Sequence, residues 1–252
     1  MNINIPSIRL LNCPIHAITM EETVSFIDKS IKARKQIHHV VVNAAKLVKM
    51  KSDNTLRESV VNCDIINADG QSLVWAARLL GLYLPERVAG IDLMERLVLL
   101  AYYKGYKIYF LGAQKEVVSA LVEKYVVEFD KSIIAGYRDG YFKKEEEPEV
   151  AKAIRESNAH ILFVAMSSPK KEIFLNTYKE LINTPFIMGV GGSFDVIAGK
   201  VKRAPLWMQQ AGLEWFYRVI QEPGRMWKRY LVTNTLFIGR VFNAVIKKHM
   251  SF

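Results

Sequence analysis

The chain has 252 residues, half of them hydrophobic and 24% charged. Such a chain suits one large domain, or one domain with an appendage, and wholesale disorder is excluded. The formal charge of +10 is unevenly placed, because from Lys200 onward ten Lys/Arg face only two acids, Glu214 and Glu222. A basic tail on a nearly neutral body calls for an anionic partner: nucleic acid, a phosphate-bearing ligand or an acidic membrane surface. The longest uncharged stretch near the end, Tyr230 to Gly239, is too short to cross a bilayer, where about 20 apolar residues are needed. No basic stretch leads into an apolar signal core, so the chain reads as mature and cytosolic. Cys13 and Cys63 form no CxxC and read as small core residues.

In chain order, Thr19 followed by Glu22 predicts a capping box that opens a helix to about Lys35. Apolar, largely β-branched runs then occur at Val40–Val42, Ile65–Ile66, Ile108–Leu111, Ile133–Ile134, Ile161–Val164 and Phe186–Met188. Most read as strands buried on both faces, the habit of parallel sheets. Helical patterns separate them at Ala44–Asn62, Gln71–Leu80, Ile91–Lys104, Gln114–Phe129 and Pro169–Leu181. This alternation predicts an α/β fold, a doubly wound, mainly parallel, Rossmann-like sheet over residues 1–199. Residues 200–252 form a basic, aromatic-rich, amphipathic helical appendage, read as membrane-targeting and site-closing.

Ligands of such sheets bind beyond the carboxyl ends of the strands. Five polar or glycine-rich clusters fall there: Asn43, Asn67–Gly70, Leu111–Ala113, Ser167–Glu172 and Gly189–Asp195. Five on one edge suggest a composite site. The glycines Gly189, Gly191 and Gly192 suit either a phosphate approached by backbone N–H groups or a tight strand-to-helix turn. Pro169 falls at an expected first helical position, and Lys170 and Lys171 beside it suit either an anion or a solvated face. Asp69 reads either as a proton acceptor projecting from the strand end or as the N-cap of the helix that follows.

The sequence holds no Asp-x-Asp, no histidine pair at helical spacing and no Gly-x-Ser-x-Gly elbow. No metal or other cofactor is therefore expected, and chemistry with a phosphate leaving group would rely on arginine in place of a divalent ion. Arg87, Arg218, Arg225 and Arg229 are the candidates. In the tail, Trp207, Trp215, Trp227 and Phe242 interleave with basic residues, a pattern that suits an anionic membrane interface better than a phosphate-tracking nucleic-acid groove. Exposed apolar surface there is also compatible with self-association, though no heptad seam sets a number.

Taken together, these clusters resemble the WecG/TagA/CpsF family, glycosyltransferase family 26, over nearly the whole chain. The resemblance rests on Asn43–Lys46, Asn67–Gly70 with Val74–Arg78, Glu86–Leu93, Val164–Glu172, Gly189–Asp195, Lys202–Pro205 and Gly212–Arg218. It implies an inverting, metal-independent transferase that moves N-acetylmannosamine, or its uronic acid, from a UDP-sugar to undecaprenyl-diphosphate-GlcNAc. Teichoic acid or another surface polysaccharide would be the product, made at the inner face of the cell membrane with the enzyme peripherally bound. By position, Asp69 resembles the general base and Asn43 helps hold its site. Arg87, Lys171 and Asp195 stand where relatives contact the nucleotide-sugar, near the strand-end glycines Gly112, Gly191 and Gly192. Arg218 and Arg225, with Lys228 or Arg229 alongside, stand where the C-terminal segment closes over the diphosphate.

Three positions depart from the family pattern: Ser167 in place of glycine, Lys171 in place of glutamine, and Val41 where some members carry threonine. Lysine at 171 adds positive charge, which suits either a uronic acid donor or a further diphosphate contact. Two other readings stay open. One is a family member that uses UDP-glucose or UDP-glucuronate, and the other is a non-catalytic nucleotide-sugar-binding membrane subunit.

Overall fold

The computed structural model describes residues 5–250, with the side chains of Arg225, Arg229 and His249 outside the described set. The chain opens with an antiparallel hairpin, β1 (Ser7–Leu10) and β2 (Cys13–His16), turned by Leu11 and Asn12 at positive φ. The Thr19–Glu22 capping box is present and starts α1 (Met20–Lys32). There follow β3 (Ile37–Val42), α2 (Ala44–Lys49), α3 (Asn54–Val61), β4 (Ile65–Ala68), α4 (Gln71–Leu79) and α5 (Gly90–Lys104). Next come β5 (Ile108–Gly112), α6 (Lys115–Glu128), β6 (Ile134–Arg138), α7 (Glu147–Glu156), β7 (Ile161–Ala165), α8 (Lys170–Ile182), β8 (Phe186–Gly189) and α9 (Ser193–Ile197). The C-terminal helices are α10 (Leu206–Gln210), α11 (Glu214–Gln221) and α12 (Pro223–His249).

Strands β3 to β8 form one parallel sheet in the order β4-β3-β8-β7-β5-β6. Side-chain alternation along each strand divides the core. Ile108 and Phe110 of β5, Ile161 and Phe163 of β7, and Phe186 and Met188 of β8 face one layer with α1, α5 and α6. Their neighbours Tyr109, Leu111, Leu162, Val164 and Ile187 face the opposite layer with α7 and α8. Both faces are covered, which explains why these strands read as unbroken apolar runs.

Two sequence expectations need adjusting. The helical pattern at 44–62 divides into α2 and α3, because the Asp53 side chain accepts from the Leu56 N–H and starts a new helix. Pro169 stands at the N-cap of α8, one residue earlier than the first helical turn. The hairpin escaped the sequence reading. It lies against β4, where His16 Nδ1 accepts the Ile66 N–H at 2.9 Å and so satisfies a donor on the open edge of the sheet.

Helix α12 packs on α2, with Phe237 and Val241 buried in the cluster that includes Leu47 and Val48. Arg240 donates to the Leu47 and Val48 carbonyls at 3.1 and 3.3 Å, and Lys248 donates to the Leu80 carbonyl at 2.8 Å. Cations thus satisfy carbonyls at the C-terminal ends of α2 and α4, where the helix dipole favours positive charge.

Candidate active site

Every strand of the sheet runs the same way, so the five clusters lie along one edge. Asn43 follows β3 and caps α2, its side-chain oxygen accepting the Lys46 N–H at 3.0 Å. Asp69 follows β4, and its own N–H donates to the Val42 carbonyl at 2.7 Å, which holds the residue beside Asn43. Gly70, at φ +123°, occupies the N-cap of α4 without a side-chain cap bond. The carboxylate of Asp69 is therefore free of capping duty, and it makes no hydrogen bond or ion pair among the described residues. Burial pushes its pKa up to about 6, Glu214 adds to that push, and Arg218, Arg87 and Lys46 oppose it. A carboxyl so placed is ionised at neutral pH and still basic enough to take a proton.

Arg87 reaches the same place from the segment between α4 and α5. Its Nη1 lies 2.5 Å from Glu214 Oε2, on the first turn of α11. Arg218 is one helical turn farther along α11, exposed and on the same face as Glu214. Arg203 approaches from the segment before α10, with Nη2 2.6 Å from Asp92 Oδ1 and Nε 3.9 Å from Glu214 Oε1. Reciprocal bonds between the Lys202 backbone and the Gln221 side chain, 3.2 and 3.0 Å, tie that segment to α11.

Lys171, at the start of α8, is buried, and its ammonium lies 2.7 Å from Glu172 Oε1. Asp195 sits in the first turn of α9, with Lys200 Nζ 3.8 Å away. Gly112, at φ +123°, ends β5 where a Cβ would run into the Ala165 backbone. Gly191 and Gly192 have open space where their side chains would be. Lys228 lies on α12 with its ammonium 5.6 Å from the Trp227 ring centroid. Arg225 and Arg229 are on the same helix, and their side chains fall outside the described residues. The edge thus brings together Asn43, Asp69, Arg87 and Arg218. Sequence reading passed over Lys46, Glu172, Arg203 and Glu214 as site residues, although all four lie within stretches that carry the family resemblance.

A parallel α/β sheet whose carboxyl edge gathers a half-buried carboxyl, two arginines and open glycine backbone has the form of an enzyme for an anionic substrate. The glycosyl transferase WecG/TagA/CpsF family model matches residues 8–251, and the chain belongs to that family. A Bacillus subtilis (strain 168) protein named N-acetylglucosaminyldiphosphoundecaprenol N-acetyl-beta-D-mannosaminyltransferase is 42% identical over 168 residues. That alignment covers 67% of this chain and 64% of the relative. A protein of the same name from Bacillus spizizenii (strain W23) is 39% identical over 179 residues, 71% of this chain and 68% of the relative.

Proposed function

We propose that this chain transfers N-acetylmannosamine, or its uronic acid, from a UDP-sugar to an isoprenoid-diphosphate-linked GlcNAc, with inversion at the anomeric carbon. The Asp69 carboxyl carries the reading, since it is half-buried at the strand edge, unpartnered among the described residues, and under the influence of Arg218, Arg87 and Lys46. The names of the two Bacillus relatives supply the donor sugar and the acceptor. In the step, the acceptor hydroxyl oxygen bonds to the anomeric carbon as the bond from that carbon to the UDP oxygen breaks. Asp69 takes the hydroxyl proton, and the departing electron pair leaves on the diphosphate. Arg87 and Arg218 stabilise that growing charge.

The same reading puts the enzyme on an anionic membrane surface. Leu231, Val232, Ile238 and Phe242 of α12 are each more than half exposed, on a helix whose basic residues include Lys228 and Lys247. Among the described residues no helix is long and apolar enough to cross a membrane.

An acceptor-dependent UDP-release assay tests the proposal, with a short-chain lipid-diphosphate-GlcNAc, a panel of UDP-sugars and the Asp69→Asn variant. Turnover with the N-acetylmannosamine donor or its uronic acid, lost in the variant, is the expected result. Turnover with UDP-glucose alone would overturn the donor assignment. UDP binding without turnover on any donor would favour a binding subunit.

A further inference from the structure

Glu214 is the junction of an ion-pair chain that crosses three segments of the protein. It holds Arg87 at 2.5 Å, its other oxygen lies 3.9 Å from Arg203 Nε, and Arg203 in turn holds Asp92 at 2.6 Å in the first turn of α5. A pure staple between the C-terminal segment and the sheet domain would serve at any surface position. This one ends on Arg87, a guanidinium that faces Asp69. Both partners are mostly shielded, with side chains 16% and 29% exposed, so water screens the pair only in part.

We propose that Glu214 is a positioning residue for the transfer: its carboxylate sets Arg87 at the rim of the Asp69 site and, through Arg203 and Asp92, makes that setting depend on docking of the C-terminal segment. The proposal rests on the transferase reading above. Among the described residues, the charged groups that act on Asp69 are Glu214 and Arg218 from α11, Arg87 from the segment before α5 and Lys46 from α2. Three are cations. They draw the Asp69 carboxyl toward a weaker base; burial opposes them most, and Glu214 is the anion among the described residues that adds to it. One side chain thus aims the arginine that meets the leaving diphosphate and preserves the basicity of the residue that takes the proton.

The experiment compares full-length wild type with Glu214→Gln and Glu214→Asp. With the glutamine variant, the acid limb of the kcat/KM–pH profile moves to lower pH and kcat falls about tenfold, while the aspartate variant recovers part of both. A lower rate with the limb unmoved would overturn the proposal and leave Glu214 a staple. A second readout is independent of turnover: carboxyl carbon-13 titration of Asp69, assigned by its loss in Asp69→Asn. Its midpoint falls in Glu214→Gln if the proposal holds, and an unmoved midpoint sinks it. Wild type that titrates in this way without acceptor-dependent turnover would count against the transferase reading and not against the Glu214–Asp69 coupling.

Discussion

Lys46 and Lys171, from helices after different strands, bring their ammoniums to the same oxygen of Glu172, at 2.8 and 2.7 Å. All three side chains are at least nine-tenths buried. Lys46 also donates to the Val41 carbonyl at 2.7 Å, and so the triad ties the end of β3 to the start of α8. The aliphatic stem of Lys171 crosses Gly189, where an added Cβ would lie 3.0 Å from its Cδ. The glycine at the end of β8 thus serves packing as well as any ligand.

Removing the shared anion should be costly. Burial alone would raise the Glu172 carboxyl, but Lys46 and Lys171 outweigh it and hold the pKa at about 2, below its ordinary value of 4.5. Its stabilising contribution is present above about pH 4.5 and is lost as pH falls toward 2. Glu172→Gln removes the buried anion that the two ammoniums share and should cost about 3–5 kcal/mol at pH 7, read by urea denaturation. An equal midpoint for wild type and variant would show that the triad is not the tie described.

Asp69→Asn should trade stability against activity. The folded-state pKa of Asp69 is raised from 3.8 to about 6, so the folded protein binds the proton more tightly than the unfolded chain. Stability from this group is full below about pH 4 and is lost as pH rises through 6. The asparagine variant should therefore gain about 3 kcal/mol over wild type at pH 7 and nothing near pH 3.5, measured by thermal melts at both values. Acceptor-dependent turnover should drop about 10²- to 10⁴-fold.

Docking of α12 rests on a small apolar contact and two capped helix ends. Phe237→Ala removes a ring that is 5% exposed and should lower stability by about 3 kcal/mol. Arg240→Met frees the Leu47 and Val48 carbonyls and should cost about 1 kcal/mol. Limited proteolysis should then cut ahead of α12 faster in the alanine variant than in wild type.

The outward side of α12 gives the membrane reading its own test. Replacing Leu231, Val232 and Phe242 together by serine removes side chains that are 60%, 55% and 64% exposed, so folding should be nearly unaffected. Co-sedimentation with phosphatidylglycerol vesicles should fall about tenfold or more, since each buried apolar side chain contributes about 1.5–3 kcal/mol. Unchanged sedimentation would remove the apolar face from the membrane argument.

Much of this protein is legible in its local patterns. Short apolar runs mark β5, β7 and β8 because strands covered on both faces have no polar side to show. Thr19 and Glu22 announce α1 because a capping box is completed within four residues. The strand-end clusters point to one edge because parallel strands all finish on the same side. The β1–β2 hairpin was missed: its turn, Leu11-Asn12, carries no glycine, and positive φ at leucine leaves no compositional mark.

The chemistry of Asp69 belonged to tertiary structure. By local pattern it suits a helix cap as well as a proton acceptor, with the base role coming from family resemblance, and only the folded chain moves the cap to Gly70 and leaves the carboxyl unpartnered among the described residues. Lys171 reads in the sequence as either an anion contact or part of a solvated face, and its pairing with Lys46 on Glu172 appears only when α2 and α8 are brought together. Glu214 and Arg87 are 127 residues apart, and no local rule pairs them. Sequence determines what each short segment prefers, since caps and periodicity act over a few residues. Which charges share a low-dielectric edge, and hence which carboxyl becomes a base, depends on contacts that exist only once distant segments have packed.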